Sequence, residues 1–479
     1  MATVFEWIYV VGAVVLLFGA AIAIHEWGHF WVALKRGLKV EAFAIGFGPK
    51  IWGWTKDGIE YSIRSQFMVG ADGARSQVAD DAGLTFEGPG AVAGAFNVVF
   101  EADLTHLVAH RPSVLYWMLQ AGADENGVGL GVLRMVKPWT EWMLIWGYDH
   151  LAGPPDLSDA TIRDLAVKLV GTDDFEMRVL SRAPWTINHR FATKVSNGRV
   201  FCAGDAIHRH PPTNGLGSNT SIQDSYNLGW KLAHVVQGKA GLGLLDTYDA
   251  ERAPVAKQIV ERANKSIGDT SMIPRALGLT SVADAKVLEE RLAVLRAPGA
   301  EGEATRAKMR AAIAYKSHEF NCHGVEHNQR YASTAVVPDG TPMPEYRRDA
   351  ELYAQPTTWP GAKVPHTWVT RGGAKVSTLD LGGRGAFTVY TGIGGDAWVA
   401  AAAAASASLG VDVRVVCIGH GQEFEDPFGT WAALREVEDT GVVLTRPDNY
   451  VAFRAQRSPS SDAEATAALT SALRVILDR

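Results

Sequence analysis

The chain has 479 residues, a formal net charge of -6 and 47% hydrophobic residues, which is enough for two or three domains with sizeable cores. The negative charge leaves no basic footprint and excludes a nucleic-acid-binding protein. The three cysteines, Cys202, Cys322 and Cys417, stand far apart without C-x-x-C spacing. This spacing argues against a disulfide framework and indicates a reducing compartment.

Residues 8–24 form an apolar segment without a charged residue. The segment is long enough to span a bilayer as a helix, and Trp27 and Trp31 follow it as aromatic anchors. The segment is not typical of a cleavable signal, which begins with basic residues. Residues 1–7 contain the acidic Glu6 and no lysine or arginine. Lysines and arginines follow the span, so we expect a cytoplasmic body tethered to the inner membrane, or a simply cytoplasmic protein if this segment is an artefact of gene assembly.

The span ends in an H-E-x-x-H motif formed by His25, Glu26 and His29. Two histidines four positions apart share one face of a helix and can bind zinc, with Glu26 as a general base. With the Gly46-Phe47-Gly48-Pro49-Lys50 and Gly58-Ile59-Glu60-Tyr61-Ser62 stretches, residues 1–65 resemble the start of a site-two intramembrane metalloprotease. That family takes an aspartate ligand from a later membrane helix, and no second spanning segment follows here. The alternative is therefore a pair of polar residues at the end of a membrane helix.

An Asp-Gly motif at Asp72 and Gly73 follows the short apolar stretch at residues 68–71. A dinucleotide site also needs a G-x-G-x-x-G turn, whose glycines let the backbone approach the pyrophosphate. The sequence has no such turn, since each of its G-x-G triplets lacks the third glycine. We therefore expect the adenine side of such a site to be missing from this chain.

Residues 113–119, 129–136 and 141–148 are predicted to be strands, because apolar runs alternate there with turn signals. Four tryptophans in this region are expected to line or back a sheet: Trp117, Trp139, Trp142 and Trp146. For each of them, simple core packing is the equally good alternative.

The longest motif runs from Arg199 to Ala233. An apolar stretch at 200–203 ends on Gly204 and Asp205, which is typical of a buried strand that delivers a carboxylate to its carboxyl end. Prolines then stiffen the chain, and a helix is predicted to Val236, capped by residues 219–221. Such a helix would point its positive end at a ligand. The alternative is an ordinary strand, loop and helix with Asp205 as a turn residue.

These motifs, with Leu245-Asp246-Thr247-Tyr248 and Glu251-Arg252-Ala253-Pro254-Val255 after them, resemble the single-component FAD-dependent aromatic hydroxylases, most nearly the phenol and 2,4-dichlorophenol hydroxylases. The resemblance covers about residues 66–479. It implies an α/β fold of mixed α+β character with a partial p-hydroxybenzoate-hydroxylase-like domain. The residues it implies for FAD binding are Asp72, Gly73, Gly204, Asp205, Pro212, Gly215, Leu216, Gly217 and Asn219.

The resemblance also implies an activity. In that family NAD(P)H reduces the flavin, and O2 then hydroxylates a phenol, here including chlorophenols, to a catechol, while the protein supplies orientation and a dry pocket. Residues 111–150 are expected to belong to that pocket. Because the first half of the flavin site is not found in the sequence, the catalytic residues stay unknown and turnover is in question.

The cluster of His318, Glu319, Cys322, His323 and His327 has residue types that bind metals. Its spacing fits no zinc pattern, so a structural role is expected instead.

The C-terminal third is predicted to follow a proline-rich linker at 346–365. Strands are expected at 387–391, 411–418, 442–445 and 450–453, and helices at 398–408, 431–438 and 463–477. This order resembles the thioredoxin-like tail of the phenol hydroxylases, for which a role in homodimer association and no redox role is expected.

The predicted division is thus a metalloprotease-like segment at 1–65, a partial FAD and substrate domain at 66–345, the linker and a thioredoxin-like domain at 366–479. Two further hypotheses stay open beside the hydroxylase. One is a fragment of a membrane zinc metalloprotease, and the other is an inactive, membrane-tethered fusion protein.

Overall fold

The computed structural model describes residues 27–28, 30–32, 35–36, 42–45, 50–57, 59–64, 66–119, 131–153, 155–279 and 285–479. The predicted membrane span at 8–24 and the residues His25, Glu26 and His29 lie outside this part of the chain. Of the helices in the described part, none combines the length and the apolar character needed to cross a membrane.

The first sheet has three strands, β1 (Ala42–Ile45), β2 (Lys50–Lys56) and β3 (Ile59–Arg64). β3 lies between the other two, antiparallel to β2 and parallel to β1. Strands β2 and β3 thus form an antiparallel pair within the segment that resembles a metalloprotease.

The middle of the chain builds two sheets around the candidate site. Its elements in chain order are β4 (Met68–Gly70), α1 (Gln77–Asp81), β5 (Phe86–Glu101), α2 (Thr105–Val108), β6 (Leu115–Met118), β7 (Gly131–Lys137), β8 (Glu141–Tyr148), α3 (Asp159–Val170), β9 (Arg178–Ala192), β10 (Ser196–Asn197), β11 (Val200–Cys202) and β12 (His208–Arg209). The smaller sheet has the order β10-β11-β4.

The larger sheet is antiparallel, with the order β12-β9-β5-β8-β7-β6. Strands β6, β7 and β8 confirm the three strands predicted between residues 113 and 148. On one face of the sheet, side chains such as Phe96 and Leu144 pack against Ile162 and Ala166 of α3. Because side chains alternate along a strand, the other face is left for a cavity.

Helices follow the two sheets: α4 (Leu216–Val236), α5 (Gly243–Asp269), α6 (Met272–Ala276), α7 (Ala285–Arg296), α8 (Ala300–Tyr315), α9 (Ser317–Phe320) and α10 (His323–His327). The predicted cap of α4 at residues 219–221 is wrong. Asn214 and Gly215 have φ values of 66° and 63°, so the chain turns there and the helix begins at Leu216. Asn219 instead donates from Nδ2 to the Gly215 carbonyl at 2.9 Å.

The C-terminal unit contains β13 (Trp368–Arg371), β14 (Ala374–Ser377), α11 (Thr378–Leu381), β15 (Phe387–Thr391), α12 (Asp396–Leu409), β16 (Val413–Cys417), α13 (Thr430–Leu434), β17 (Val442–Thr445), β18 (Val451–Ala455) and α14 (Asp462–Ile476). Its four-stranded sheet has the order β16-β15-β17-β18, in which only β15 and β16 are parallel. The predicted elements after residue 386 are confirmed, although α13 ends early because Glu436 has a φ of 55°.

A buried ionic cluster joins this unit to the middle of the chain. Glu251 of α5 accepts hydrogen bonds from Lys231 of α4 at 2.8 Å and from Arg446 at 2.5 and 2.9 Å. Arg446 also pairs with Asp448 at 2.6 Å. The four side chains are 0 to 3% exposed, and their formal charges cancel. The cluster can therefore exist without an uncompensated buried charge.

Candidate active site

Two parallel strands bring the two predicted aspartates to one edge. β4 pairs with β11 in register, so that Gly70 lies opposite Cys202. Asp72 follows the first strand by two residues and Asp205 follows the second by three. Because parallel strands end at the same sheet edge, both exposed carboxylates lie on one side of the molecule.

Asp72 is fixed by the start of helix α1. The Ser76 hydroxyl donates to its Oδ1 at 2.5 Å and the Val78 amide to its Oδ2 at 3.2 Å. The Ser76 hydrogen bond is the main reason that the pKa of Asp72 lies below its ordinary value. Gly73 has a φ of 81°, and a Cβ there would meet nothing within 4 Å. The turn thus presents open backbone beside a fixed carboxylate.

Side chains of helix α4 contact the turn at Gly204 and Asp205 and hold it in place. The Gly204 amide donates to the buried Asp224 Oδ2 at 3.1 Å, and a Cβ on Gly204 would lie 2.9 Å from the Ser221 hydroxyl. Gly204 also has a φ of 65°, which favours glycine. Asp205 stays exposed between two buried neighbours, so its carboxylate is free to accept from a ligand hydroxyl.

Asp224 is a supporting residue that the sequence reasoning missed. Arg252 Nε donates to its Oδ1 at 2.6 Å, and His208 Nε2 lies 3.0 Å from its Oδ2. Burial opposes the ionisation of Asp224, but Arg252 and His208 outweigh burial and lower its pKa. The signal was present in the sequence as a charged residue on the buried side of a helix, and Arg252 lies in a motif that was noted without a role.

The loop from Pro212 to Gly217 forms the next wall. Pro212 and Gly215 line a cavity, and the first turn of α4 has no side-chain cap. Its amide groups are therefore available to a ligand with negative charge. Leu216 is 3% exposed and packs in the core, so only its backbone can face a ligand, and a Cβ on Gly217 would lie 3.5 Å from the His210 ring.

A cavity of about 570 Å³ lies between this loop and the free face of the larger sheet. Most of its lining is apolar, and the side chains come from five strands, the loop and the helices α5 and α9. They include Ala93, Ala95, Leu115, Trp117, Val132, Arg134, Ile145, Trp185, Ile187, Thr213, Ile267, Thr270, Glu319 and Phe320. Its size is within the range of pockets that hold small organic ligands.

The four predicted tryptophans divide between the two faces of the sheet. Trp117 lines the cavity, whereas Trp139 and Trp146 pack in the core on the opposite face. Trp142 is fully buried there, and its Nε1 donates to the carbonyls of Ala102 and Trp139. The core-packing alternative is therefore correct for three of the four residues.

Four side chains of the His318 cluster, those of His318, Glu319, Cys322 and His327, have protein partners. His318 stacks on Tyr315 with ring centroids 4.4 Å apart, and the Cys322 thiol donates to the His318 carbonyl at 2.5 Å. Burial raises the pKa of Cys322 to about 11. Across the described residues, no group of three or more His, Cys, Asp or Glu side chains is arranged to hold a metal ion.

Comparison with known proteins agrees with this geometry. The profile of an FAD binding domain matches residues 52–263, and that of an aromatic-ring hydroxylase C-terminal domain matches residues 357–479. The first match begins inside the segment that resembles a metalloprotease. Together the two matches include the strand edge, the loop from Pro212 to Gly217 and the C-terminal sheet.

Two bacterial relatives are similar over most of the chain. A 2,4-dichlorophenol 6-monooxygenase from Delftia acidovorans is 54% identical over 417 residues, which are 87% of this chain and 71% of that protein. A phenol 2-monooxygenase from Pseudomonas sp. (strain EST1001) is 44% identical over 401 residues, which are 83% of this chain and 64% of that protein.

A solved structure shows the same fold. The flavin-dependent monooxygenase PieE in complex with FAD and substrate has a TM-score of 0.81 at 42% identity, covering 88% of this chain and 72% of that one. This chain therefore belongs to the FAD-dependent aromatic-ring monooxygenases, which are oxidoreductases.

Proposed function

We propose that the chain hydroxylates a phenol, including chlorinated phenols, to a catechol with NAD(P)H and O2. The observation that carries this proposal is the apolar cavity bounded by the Pro212 to Gly215 loop. A cavity in this place can hold an aromatic ring beside the loop that would carry the flavin. The names of the relatives in Delftia and Pseudomonas support the substrate class.

The residues present fit the flavin side of FAD, whereas the sequence has no G-x-G-x-x-G turn for its pyrophosphate. The uncapped start of the 21-residue helix α4 offers amide groups, and Gly215 has open space where a Cβ would stand. Asp205 would accept from a hydroxyl of the cofactor, and the turn at Asp72 and Gly73 would form the adjoining edge. Leu216, Gly217 and Asn219 would contribute backbone or loop contacts. Bound FAD supplies the redox chemistry that protein side chains lack.

The chain's own contribution is orientation and the exclusion of water. Leu115, Val132, Ile145 and Ile187 give the cavity an apolar wall, in which a ring is held by packing while a few polar groups set its direction. The positive end of α4 would stabilise negative charge on the bound cofactor.

We also propose the division into units at 66–345, 346–365 and 366–479, with a thioredoxin-like fold for the last. The support is the strand order β16-β15-β17-β18 with one parallel pair. The proposed role of this unit is association into a homodimer, which sedimentation of the full chain tests. We also propose that residues 8–24 tether the chain to the membrane. No described residue supports a zinc protease.

The test is to purify the full chain, supply FAD, and measure bound flavin and phenol-dependent NAD(P)H oxidation. Catechol carrying one atom from ¹⁸O2 is the expected product. Asp205→Ala should lose most FAD binding, whereas Asp164→Ala, at an exposed position of α3, should not. Failure of the parent chain to bind FAD or to form a catechol would refute the proposal.

A further inference from the structure

A buried ion pair stands at the wall of the cavity. Lys316, between α8 and α9, pairs with Glu319 of α9, and the two residues are only 7% and 5% exposed. Glu319 lines the cavity. A charged pair beside a mostly apolar pocket is costly to desolvate, so the hydrogen-bond partners of the pair decide what it can do.

The ammonium group of Lys316 is occupied by protein partners. It donates to Glu319 Oε2 and to Thr270 Oγ1 at 2.9 Å, and it lies 5.3 Å from the centre of the Trp117 ring. Its charge is therefore directed at neighbouring side chains. This arrangement fixes the Glu319 carboxylate through one of its two oxygens.

The second carboxylate oxygen, Glu319 Oε1, has no hydrogen-bond partner among the described residues. It is thus an acceptor without a described protein partner, on a residue that lines the cavity. An ionised carboxylate oxygen accepts strong hydrogen bonds from hydroxyl groups.

The backbone that carries Glu319 is tied to the proposed flavin loop. Asn214 Nδ2 donates to the His318 carbonyl at 2.6 Å, and Thr213 Oγ1 donates to the Ala263 carbonyl at 2.6 Å. Both donors lie between Pro212 and Gly215, which line the same cavity. Glu319 therefore has a fixed position relative to that loop.

Two other polar side chains of the lining are already engaged, whereas the donor Trp117 Nε1 has no hydrogen-bond partner among the described residues. Trp185 Nε1 donates to Asn97 Oδ1 at 3.0 Å, and the Thr270 hydroxyl donates to the Ser266 carbonyl at 3.2 Å. Among the described residues that line the cavity, Glu319 is the only one with a carboxylate. It is placed to set the direction of a ligand whose remaining surface is apolar.

We propose that Glu319 accepts a hydrogen bond from the phenolic hydroxyl of the substrate and so orients its ring in the cavity. The inference rests on the proposed function and names the group that recognises the substrate. Glu319 should favour ligands with a free hydroxyl over ethers of the same shape. A hydrogen bond to a charged group corresponds to a preference of about 10- to 100-fold.

The test is a binding titration of the purified full chain, saturated with FAD, with phenol and with anisole, its methyl ether. Trp117 and Trp185 line the cavity, so tryptophan fluorescence reports occupancy. The parent chain should bind phenol at least about 10-fold more tightly than anisole. In Glu319→Gln the amide oxygen can pair with Lys316, which turns a donor toward the cavity, and the preference should fall to about 1 or reverse.

Two further variants keep the result interpretable. Lys316→Met/Glu319→Leu removes the pair without leaving a buried charge, so it should fold and also lose the preference. Glu303→Gln, at an exposed position of α8, should keep the parent preference. The kcat/KM for phenol should fall in Glu319→Gln by the factor seen in binding.

The outcomes separate the two proposals. An unchanged phenol preference in Glu319→Gln, in protein that still converts phenol to catechol, overturns the role of Glu319 alone. A parent chain that binds neither ligand and forms no catechol overturns the proposed function, and this inference with it.

Discussion

The buried cluster between the C-terminal unit and α5 gives the sharpest stability prediction. Glu251 accepts from Arg446 and Lys231, and also from Asn227 Nδ2 at 2.7 Å and the Ser333 hydroxyl at 2.6 Å. Arg446 and Lys231 hold the pKa of Glu251 well below its ordinary value, although burial acts in the opposite direction. Glu251→Gln keeps the shape of the side chain and removes its charge.

The expected cost follows from the charge balance. Lys231 and Arg446 carry two positive charges, and Glu251 and Asp448 carry two negative charges, so the cluster of fully buried groups is neutral. Glu251→Gln leaves one positive charge uncompensated, which should lower the free energy of unfolding by about 3–5 kcal/mol. Adding Lys231→Met restores neutrality and should recover about 2–3 kcal/mol of that loss.

Equilibrium urea unfolding followed by circular dichroism measures these differences. The matched control is Glu261→Gln on the same helix, where Glu261 pairs with Lys257 at 3.8 Å and both side chains are about half exposed. That change should cost less than about 1 kcal/mol. The reasoning is refuted if Glu251→Gln costs no more than the control, or if the cost of the double variant equals the sum of the single costs.

Three further outcomes are expected. Gly94→Val should destabilise the protein by about 1–3 kcal/mol, because its Cβ would lie 2.5 Å from the Tyr148 ring; an unchanged thermal midpoint would contradict this. Trp142→Ala should cost about 3–5 kcal/mol, since the side chain is fully buried, and a smaller urea midpoint shift than in Gly94→Val would be evidence against it. Asp224 and Glu251 have lowered pKa values in the folded protein, so the stability they contribute is present above their ordinary pKa values of 3.8 and 4.5 and is lost as the pH falls below them. Urea midpoints between pH 7 and pH 3 should therefore fall at the acidic end, and less steeply in Glu251→Gln; parallel curves for the two proteins would contradict the assignment.

Local signals were sufficient for much of the fold. Strands of the C-terminal unit coincide with apolar runs that glycine or proline bounds. Strand β17, for example, begins and ends at the predicted residues. The strand edge that joins the two aspartate motifs was also predictable, because Gly70 and Gly204 each follow a short apolar stretch. In these places the sequence pattern and the tertiary contacts favour the same structure.

Long-range pairing explains what was missed. β5 and β9 pair along most of their length, although β5 contains the turn-like Gly88-Pro89-Gly90 sequence and its register shifts there. Similarly, Glu251 and Arg446 are 195 positions apart, so no local pattern links them. Glu319 was noted only as a metal-ligand type, because the cavity that gives it meaning is formed by distant strands.

The central claim is that the Asp72 turn, the Gly204 and Asp205 turn and the Pro212 to Gly217 loop form one flavin-binding edge beside the cavity. A crystal structure of the full chain grown with FAD and a phenol tests it most directly. The account predicts flavin against that loop, within hydrogen-bond distance of Asp205, and the phenol ring in the cavity. Flavin bound elsewhere, or a phenol outside the cavity, would contradict it.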